Sequence, residues 1–456
     1  MNDRFDAIVV GMGPGGEISA QRLLAAGKRV AVVERELIGG ECDYWACIPS
    51  KTLLRPPEAR VEAERAAGDD RPALHWPALR DYRDAIIFHL DDSGLIAAYE
   101  KRGAAVVKGA GRLAGRTADG LLRVETDART LQAEHVVIAT GSQPVRPPIE
   151  GLADVPVWTN REATTLADIP RRALVLGGSA SAVELGQFLA RMGAYVTLVE
   201  RSDRLVAREE PRVGELIRAA LQAEGIEVRL GRQARRATPN QTGARVELDD
   251  GSAVDVDVVV LATGRLPRVR DLGLETVGVD VAALGGHGLP VDEHCRFGDG
   301  LWAVGDVTGQ SLFTHVAKYQ ARVAADTIRG RPRRATYDGI PRVIFSDPEI
   351  AAVGLTSAAA AGRGIEVTTT EVDLPAVINR PKTYETNPRG NLGLLVDPHR
   401  RVLVGAWAVA PLAGEWIHQA ALAIRAAVPV DTLLDQVAQF PTYTEAYVYG
   451  LEQLNL

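Results

Sequence analysis

Two stretches of the chain repeat one unit, and that repeat constrains the fold more than any other feature. Ala7-Ile8-Val9-Val10 is a continuous apolar run, as expected for a strand buried on both faces. It leads into Gly11-Met12-Gly13-Pro14-Gly15-Gly16, a helical stretch from Glu17 to Ala26, and a strand, Val30-Ala31-Val32-Val33, ending in Glu34. Downstream, Ala173-Leu174-Val175-Leu176 leads into Gly177-Gly178-Ser179-Ala180-Ser181-Ala182, a helix to Met192, and a strand from Tyr195 to Val199 ending in Glu200. The same interval separates Gly11 from Glu34 and Gly177 from Glu200. Strand, Gly-rich turn, helix, strand and acid in that order form a dinucleotide-binding fingerprint. Gly11 permits the tight turn, Gly13 lets the backbone approach a pyrophosphate, and Gly16 lets the helix pack on the sheet. The helix N-terminus offers free N–H groups and a positive dipole end to the phosphates. Glu34 is expected to accept hydrogen bonds from a ribose hydroxyl. Two turns that merely need glycine would not explain both terminal glutamates.

The second copy departs from the pattern at Ser179 and Ala182. Alanine only loosens helix–strand packing, whereas a serine Cβ is expected to point toward the pyrophosphate and alter its geometry. Glu200 argues for a free 2′-hydroxyl and hence NADH, because a carboxylate repels a 2′-phosphate. Arg201 and Arg204 stand close by and keep NADPH possible.

A chain of 456 residues holds about three domains. Its formal charge is −7, from 52 Lys and Arg against 59 Asp and Glu, which with no long basic run excludes a nucleic-acid binder. Three cysteines are too few for a secreted disulfide scaffold. The N-terminus lacks a signal-peptide pattern and no long apolar window appears, so a cytoplasmic protein with no membrane partner is expected. No metal site is expected, because Cys295 has no cysteine or histidine ligand cluster beside it and reads as a small hydrophobe.

Between the repeats stands Gly39-Gly40-Glu41-Cys42-Asp43-Tyr44-Trp45-Ala46-Cys47-Ile48-Pro49-Ser50-Lys51. This segment resembles the redox-active disulfide of the class I pyridine nucleotide-disulfide oxidoreductases, the group of dihydrolipoamide dehydrogenase, glutathione reductase and mercuric reductase. Further landmarks agree with the resemblance along nearly the whole chain. Ala139-Thr140-Gly141-Ser142 with Pro144 looks like the family's crossover out of the FAD domain, and Leu261-Ala262-Thr263-Gly264-Arg265 with Pro267 like its return. Trp302-Ala303-Val304-Gly305-Asp306 resembles the second FAD motif, whose aspartate holds the ribityl chain. Pro348-Glu349, Val353-Gly354, Gly414-Glu415 and Pro441-Thr442 with Glu445 resemble the C-terminal dimerisation domain.

The resemblance implies an α/β fold with two Rossmann-like dinucleotide-binding domains, for FAD and NAD(P), plus a C-terminal α+β dimerisation domain. The expected boundaries are 1–148 for the first part of the FAD domain, 149–268 for the NAD(P) domain, 269–335 for the return segment and 336–456 for the interface domain. It implies a homodimer in which electrons pass from a nicotinamide nucleotide through FAD to a Cys42–Cys47 disulfide and then to a small-molecule acceptor. Cys47 would be the flavin-proximal thiol and Cys42 the exposed interchange thiol. A thiolate is the reactive form, so the site is expected to lower a cysteine pKa from about 8.5, with a helix dipole beginning near Pro49 helping. Lys51 matches the lysine beneath the flavin and Glu184 its acidic partner.

One motif breaks. The family's H-P-T-x-x-E reads here Phe440-Pro441-Thr442-Tyr443-Thr444-Glu445, and the last of eight histidines is His418. The general acid/base, typically worth about 10²–10⁴-fold, is absent, and Glu445 has no imidazole to orient. Three outcomes are open. The enzyme reduces a disulfide using Tyr443, water or a low-pKa Cys42. It resembles 2-ketopropyl coenzyme M oxidoreductase/carboxylase, which also has phenylalanine here, although Glu445 stands where that enzyme has histidine. Or it serves quinones, metal ions or other acceptors; mercury is disfavoured because no cysteine lies near the C-terminus. A flavin-binding protein that has lost catalysis is the non-enzymatic alternative, opposed by intact Cys42, Cys47, Lys51 and Glu184. Tyr44 and Trp45 either line a pocket or simply pack, and His315 stands at an expected helix start.

Overall fold

The computed structural model describes residues 3–68 and 70–454. The chain forms two compact units. The first comprises residues 1–50, 81–145 and 264–336; the second comprises 51–80, 146–263 and 337–456.

In the first unit, strand Arg4–Val10 lies between Val30–Glu34 and Thr130–Ile138, all parallel. Ala105–Lys108 extends the sheet beyond Val30–Glu34, and Leu301–Ala303 pairs in parallel with Thr130–Ile138. Ala7, Ile8 and Val9 have no solvent exposure, which explains why the sequence reads as an unbroken apolar run rather than an alternation. Helix Pro14–Ala25 follows the first strand directly. The short strands Ser142–Pro144 and Arg265–Pro267 pair antiparallel where the chain leaves this unit and returns to it. Val145 N donates to Gly264 O across that crossover.

In the second unit, Arg172–Leu176, Tyr195–Glu200, Glu227–Leu230, Val258–Leu261 and Val157–Trp158 form a five-stranded parallel sheet. Helix Ala180–Arg191 repeats the placement of Pro14–Ala25. The C-terminal part is a five-stranded antiparallel sheet ordered Pro341–Ile344, Glu349–Gly354, Val402–Ala410, Asn391–Asp397 and Thr368–Asp373. Helices His418–Arg425 and Glu445–Glu452 pack on it. One apolar core runs through this unit, from Leu53 and Leu79 through Phe188 and Val260 to Ile350 and Trp407. That shared core is why the inserted nucleotide domain and the C-terminal sheet behave as one unit. Among the described residues no helix is long and apolar enough to cross a membrane.

Candidate active site

The first glycine turn has the form its sequence requires. Gly11 has φ +93°, and a Cβ there would stand 2.5 Å from Ala139 O. A Cβ on Gly16 would come within 1.9 Å of Gly11 O, so helix and strand touch through bare backbone. At Gly13 a Cβ would meet only Gly40 Cα at 4.0 Å, and no side chain caps the helix it begins. The start of that helix is therefore open and uncapped, with the chemistry of a pyrophosphate cradle. Glu34 is buried, and its carboxylate accepts hydrogen bonds from Met12 N at 2.6 Å and Glu36 N at 2.8 Å. Burial raises its pKa from the usual carboxylate range.

Asp306 opens a short helical turn and accepts from the Ser142 hydroxyl at 2.5 Å; Ser142 in turn accepts from Arg265 Nε at 2.7 Å. Burial raises the Asp306 pKa. Thr140 donates to Arg268 O at 2.8 Å, and Gly141 follows it in the turn. Glu41 faces Arg265 and Arg268 at 3.6 Å each. These buried carboxyl, hydroxyl and backbone groups fit a polyhydroxylated chain joined to a pyrophosphate, as in FAD.

In the second copy, Gly177 repeats the role of Gly11, its absent Cβ standing 2.4 Å from Ala262 O. Ser179 does not aim its hydroxyl toward a pyrophosphate. It donates to Ala262 O at 2.9 Å, tying the turn to the end of the neighbouring strand and leaving the helix N-terminus uncapped. Glu200 ends its strand and accepts from Ser202 N at 2.7 Å. Gly264 lies just beyond, at the start of the return.

Cys42 lies in the short helix Gly40–Tyr44, and Cys47 is the first residue of helix Cys47–Arg65, two residues earlier than Pro49 suggested. Cys42 and Cys47 stand as unbonded thiols close to one hydroxyl. The Thr314 hydroxyl gathers them, donating to Cys42 Sγ at 3.4 Å and lying 3.3 Å from Cys47 Sγ. Cys42, expected to be exposed, is buried, whereas Cys47 is half-buried. The short helix turns the Cys42 sulfur inward onto Cys47 and Thr314. Nor is the Cys42 pKa lowered: the hydrogen bond with Cys47, followed by burial, pushes it up and keeps it protonated.

Lys51 Nζ donates to Glu184 Oε2 at 2.7 Å, and the other Glu184 oxygen accepts from Phe345 N at 3.0 Å. The Lys51 ammonium also stands 4.7 Å from the centre of the Phe345 ring. Phe440 precedes a cis peptide to Pro441 and is 71% exposed. Glu445 begins the helix Glu445–Glu452 and accepts from Thr442 N at 3.1 Å. Tyr443, named above as a substitute proton source, is a poor one. It is buried against Trp416, its hydroxyl has no partner, and burial pushes its pKa well up.

Sequence reasoning singled out His315 and missed its neighbour. His315 is exposed and stacks on Phe313, while Thr314 reaches both sulfurs. A hydroxyl one residue from a suspected helix start was the available signal. Cys295 is fully buried just before strand Arg296–Gly298. Among the described residues no group of three or more His, Cys, Asp or Glu is placed to hold a metal ion.

Residues 5–321 match the pyridine nucleotide-disulphide oxidoreductase family, and residues 340–450 match its dimerisation domain. The chain is 33% identical to a mercuric reductase of Shigella flexneri, covering 98% of this chain and 80% of that protein. It is 28% identical to a dihydrolipoyl dehydrogenase of Geobacillus stearothermophilus, covering 98% and 95%. The Cu(II) complex of RclA, an HOCl-induced flavoprotein disulfide reductase from Escherichia coli, superposes with a TM-score of 0.87 at 25% identity over the whole of both chains. Family members use FAD and NAD(P)H, and these relatives do not favour the carboxylating alternative. The chain thus belongs to the class I pyridine nucleotide-disulphide oxidoreductase family, as an FAD-dependent NAD(P)H oxidoreductase acting on a sulfur group.

Proposed function

We propose that the protein is a cytoplasmic homodimer that uses NADH to reduce a small-molecule disulfide through Cys42 and Cys47. The observation that carries this reading is the pair of sulfurs gathered on the single Thr314 hydroxyl. Gly11, Gly13, Gly16, Glu34, Thr140, Gly141 and Asp306 would hold FAD; Gly177, Ser179, Glu200 and Gly264 would hold NADH. When bound, these cofactors supply the two-electron path from donor to cysteines.

The chain's own residues do the rest. Cys47 stands at a helix N-terminus, where the dipole favours a thiolate. Cys42 keeps its proton through the hydrogen bond with Cys47 and its burial. Glu184 fixes the Lys51 ammonium, placing one oriented positive charge a single turn beyond Cys47 on the same helix. Glu200 favours a nucleotide with a free 2′-hydroxyl. Phe440 brings no proton to the acceptor, so the dimer's C-terminal segment contributes shape and dryness rather than a base.

Anaerobic titration with NADH and NADPH, followed at the flavin absorbance, tests the donor; a screen of disulfides and quinones then tests the acceptor. NADH should bleach the flavin at lower concentration than NADPH, and Cys47→Ser should abolish disulfide turnover. A Cys47→Ser enzyme that reduces disulfides as fast as the parent would sink the reading.

A further inference from the structure

We propose that the Thr314 hydroxyl relays the proton between the two cysteines, taking it from Cys42 as Cys42 attacks the acceptor and passing its own to the Cys47 sulfur. The assignment rests on the reading of Cys42 and Cys47 as the reactive pair.

A relay has to reach both sulfurs at once, and Thr314 does. Its hydroxyl donates to Cys42 Sγ at 3.4 Å and lies 3.3 Å from Cys47 Sγ, where either atom can be the donor. A hydroxyl carries one proton and two acceptor lone pairs, and the proton rotates to suit its partners. It therefore accepts from one sulfur while donating to the other, in either direction. A backbone N–H only donates and a carboxylate only accepts, so neither could take this place. One proton enters as another leaves, so the threonine never has to ionise.

Thr314 is placed by packed elements rather than by a loop. It is the first residue of helix Thr314–Ile328, in which Val316, Ala317, Gln320 and Ala321 are buried. Gln320 accepts from Gly305 N at 2.7 Å and donates to Thr308 Oγ1 at 3.3 Å, tying the helix to the turn Asp306–Thr308. A Cβ on Gly305 would stand 3.1 Å from Ala317 Cβ, so the first turn of the helix lies close against that backbone. Cys42 is only 9% exposed, so water has little access to its proton. The helix N-terminus at Cys47 favours a thiolate, which gives that proton a place to go.

The step balances. Cys42 sulfur bonds to one sulfur of the acceptor disulfide, whose S–S bond breaks. The Cys42 proton moves to Thr314 oxygen as the Thr314 proton moves to the Cys47 thiolate, and the first departing thiolate takes a proton from solvent. Cys47 sulfur then attacks Cys42 sulfur, breaking the mixed disulfide and closing the Cys42–Cys47 bond. The Cys47 proton passes through the same hydroxyl to the second thiolate, which departs as a thiol. Two electrons pass from the cysteine pair to the acceptor.

The test uses FAD-loaded enzyme and two probes. One is NADH-dependent turnover of lipoamide. The other is the long-wavelength absorbance that a thiolate gives beside oxidised flavin, followed against pH in the dithiothreitol-reduced protein. Flavin content reports folding. Thr314→Val removes the hydroxyl and should slow lipoamide turnover by about 100-fold. It should also move the absorbance midpoint up by about one pH unit, because the Cys47 thiolate loses a hydrogen-bond donor. Thr314→Ser keeps the hydroxyl and should restore both, which a packing defect at 314 would not allow. Unchanged turnover in a flavin-loaded Thr314→Val enzyme would mean that the proton passes without the hydroxyl, and would overturn the relay. Slowed turnover without the midpoint shift, or a serine variant as slow as valine, would overturn it as well. A midpoint shift in a variant whose parent turns over no disulfide would support the Thr314 hydroxyl as the donor to Cys47 and overturn disulfide reduction as the function.

Discussion

Phe440 stands before Pro441, Thr442 and Glu445, and by the resemblance drawn from the sequence the departure from the family's motif would be this one side chain. The Phe440 ring is exposed, and Glu445 is fixed on Thr442 N. An imidazole at 440 would add a base whose pKa lies near neutrality, which phenylalanine cannot supply. Phe440→His should therefore raise lipoamide turnover near pH 7 by about 100-fold, the low end of general acid–base gains because Glu445 is anchored elsewhere. An unchanged or lower rate in a flavin-loaded variant would show that the missing base does not limit the reaction. Tyr443 offers no substitute, since its hydroxyl lies in the core of the C-terminal domain.

The two strand–turn–helix elements look alike in sequence but not in detail. The first turn is bare backbone at Gly13, whereas the second carries a hydroxyl bonded to Ala262 O. Because that hydroxyl is already committed to a carbonyl, its removal leaves the cradle's outward face unchanged. Ser179→Gly should cost about 1 kcal/mol of stability through the lost hydrogen bond. The KM for NADH should move by less than about tenfold, equivalent to 1.4 kcal/mol. Steady-state kinetics beside a thermal melt separate the two effects. A KM that falls tenfold or more would mean that the serine does obstruct the nucleotide.

Across the second unit, Asp347 joins stretches far apart in the chain. It meets Arg65 at 2.7 Å and Arg191 at 2.6 Å, and it also pairs with Arg389. Burial would raise its pKa, but the three guanidiniums outweigh burial and hold it below the ordinary carboxylate range. A folded-state pKa depressed in this way adds stability that is present above the unfolded value, about 3.9, and is lost as pH falls through the lower folded value. Asp347→Asn removes one carboxylate from guanidiniums of which Arg191 keeps Glu224 and Arg389 keeps Glu385, and should destabilise the protein at pH 7 by about 1.5–3 kcal/mol. The gap between parent and variant should narrow as melts are taken below about pH 4. A constant gap across that range would remove Asp347 as the titrating group.

Both glycine turns, their terminal glutamates and the Cys42-to-Lys51 segment were legible because each depends on residue type at short range. A strand buried on both faces must be apolar, and a turn that passes 2.5 Å from a carbonyl must lack a Cβ, so local pattern carries that information. Thr314 was not legible as a neighbour of the cysteine pair, because nothing local links it to residues 42–47. The partner of the Ser179 hydroxyl was not legible either, because the sequence says that a hydroxyl is present but not which carbonyl it finds. By itself the sequence determined the repeated nucleotide-binding units and the reactive cysteines, which rest on backbone geometry and side-chain chemistry encoded within a few residues. Only the tertiary structure decided that Cys42 is buried and that one hydroxyl, Thr314, reaches both sulfurs. A thiol's proton affinity is set by burial, hydrogen bonds and charges, and the fold supplies these from several stretches of chain.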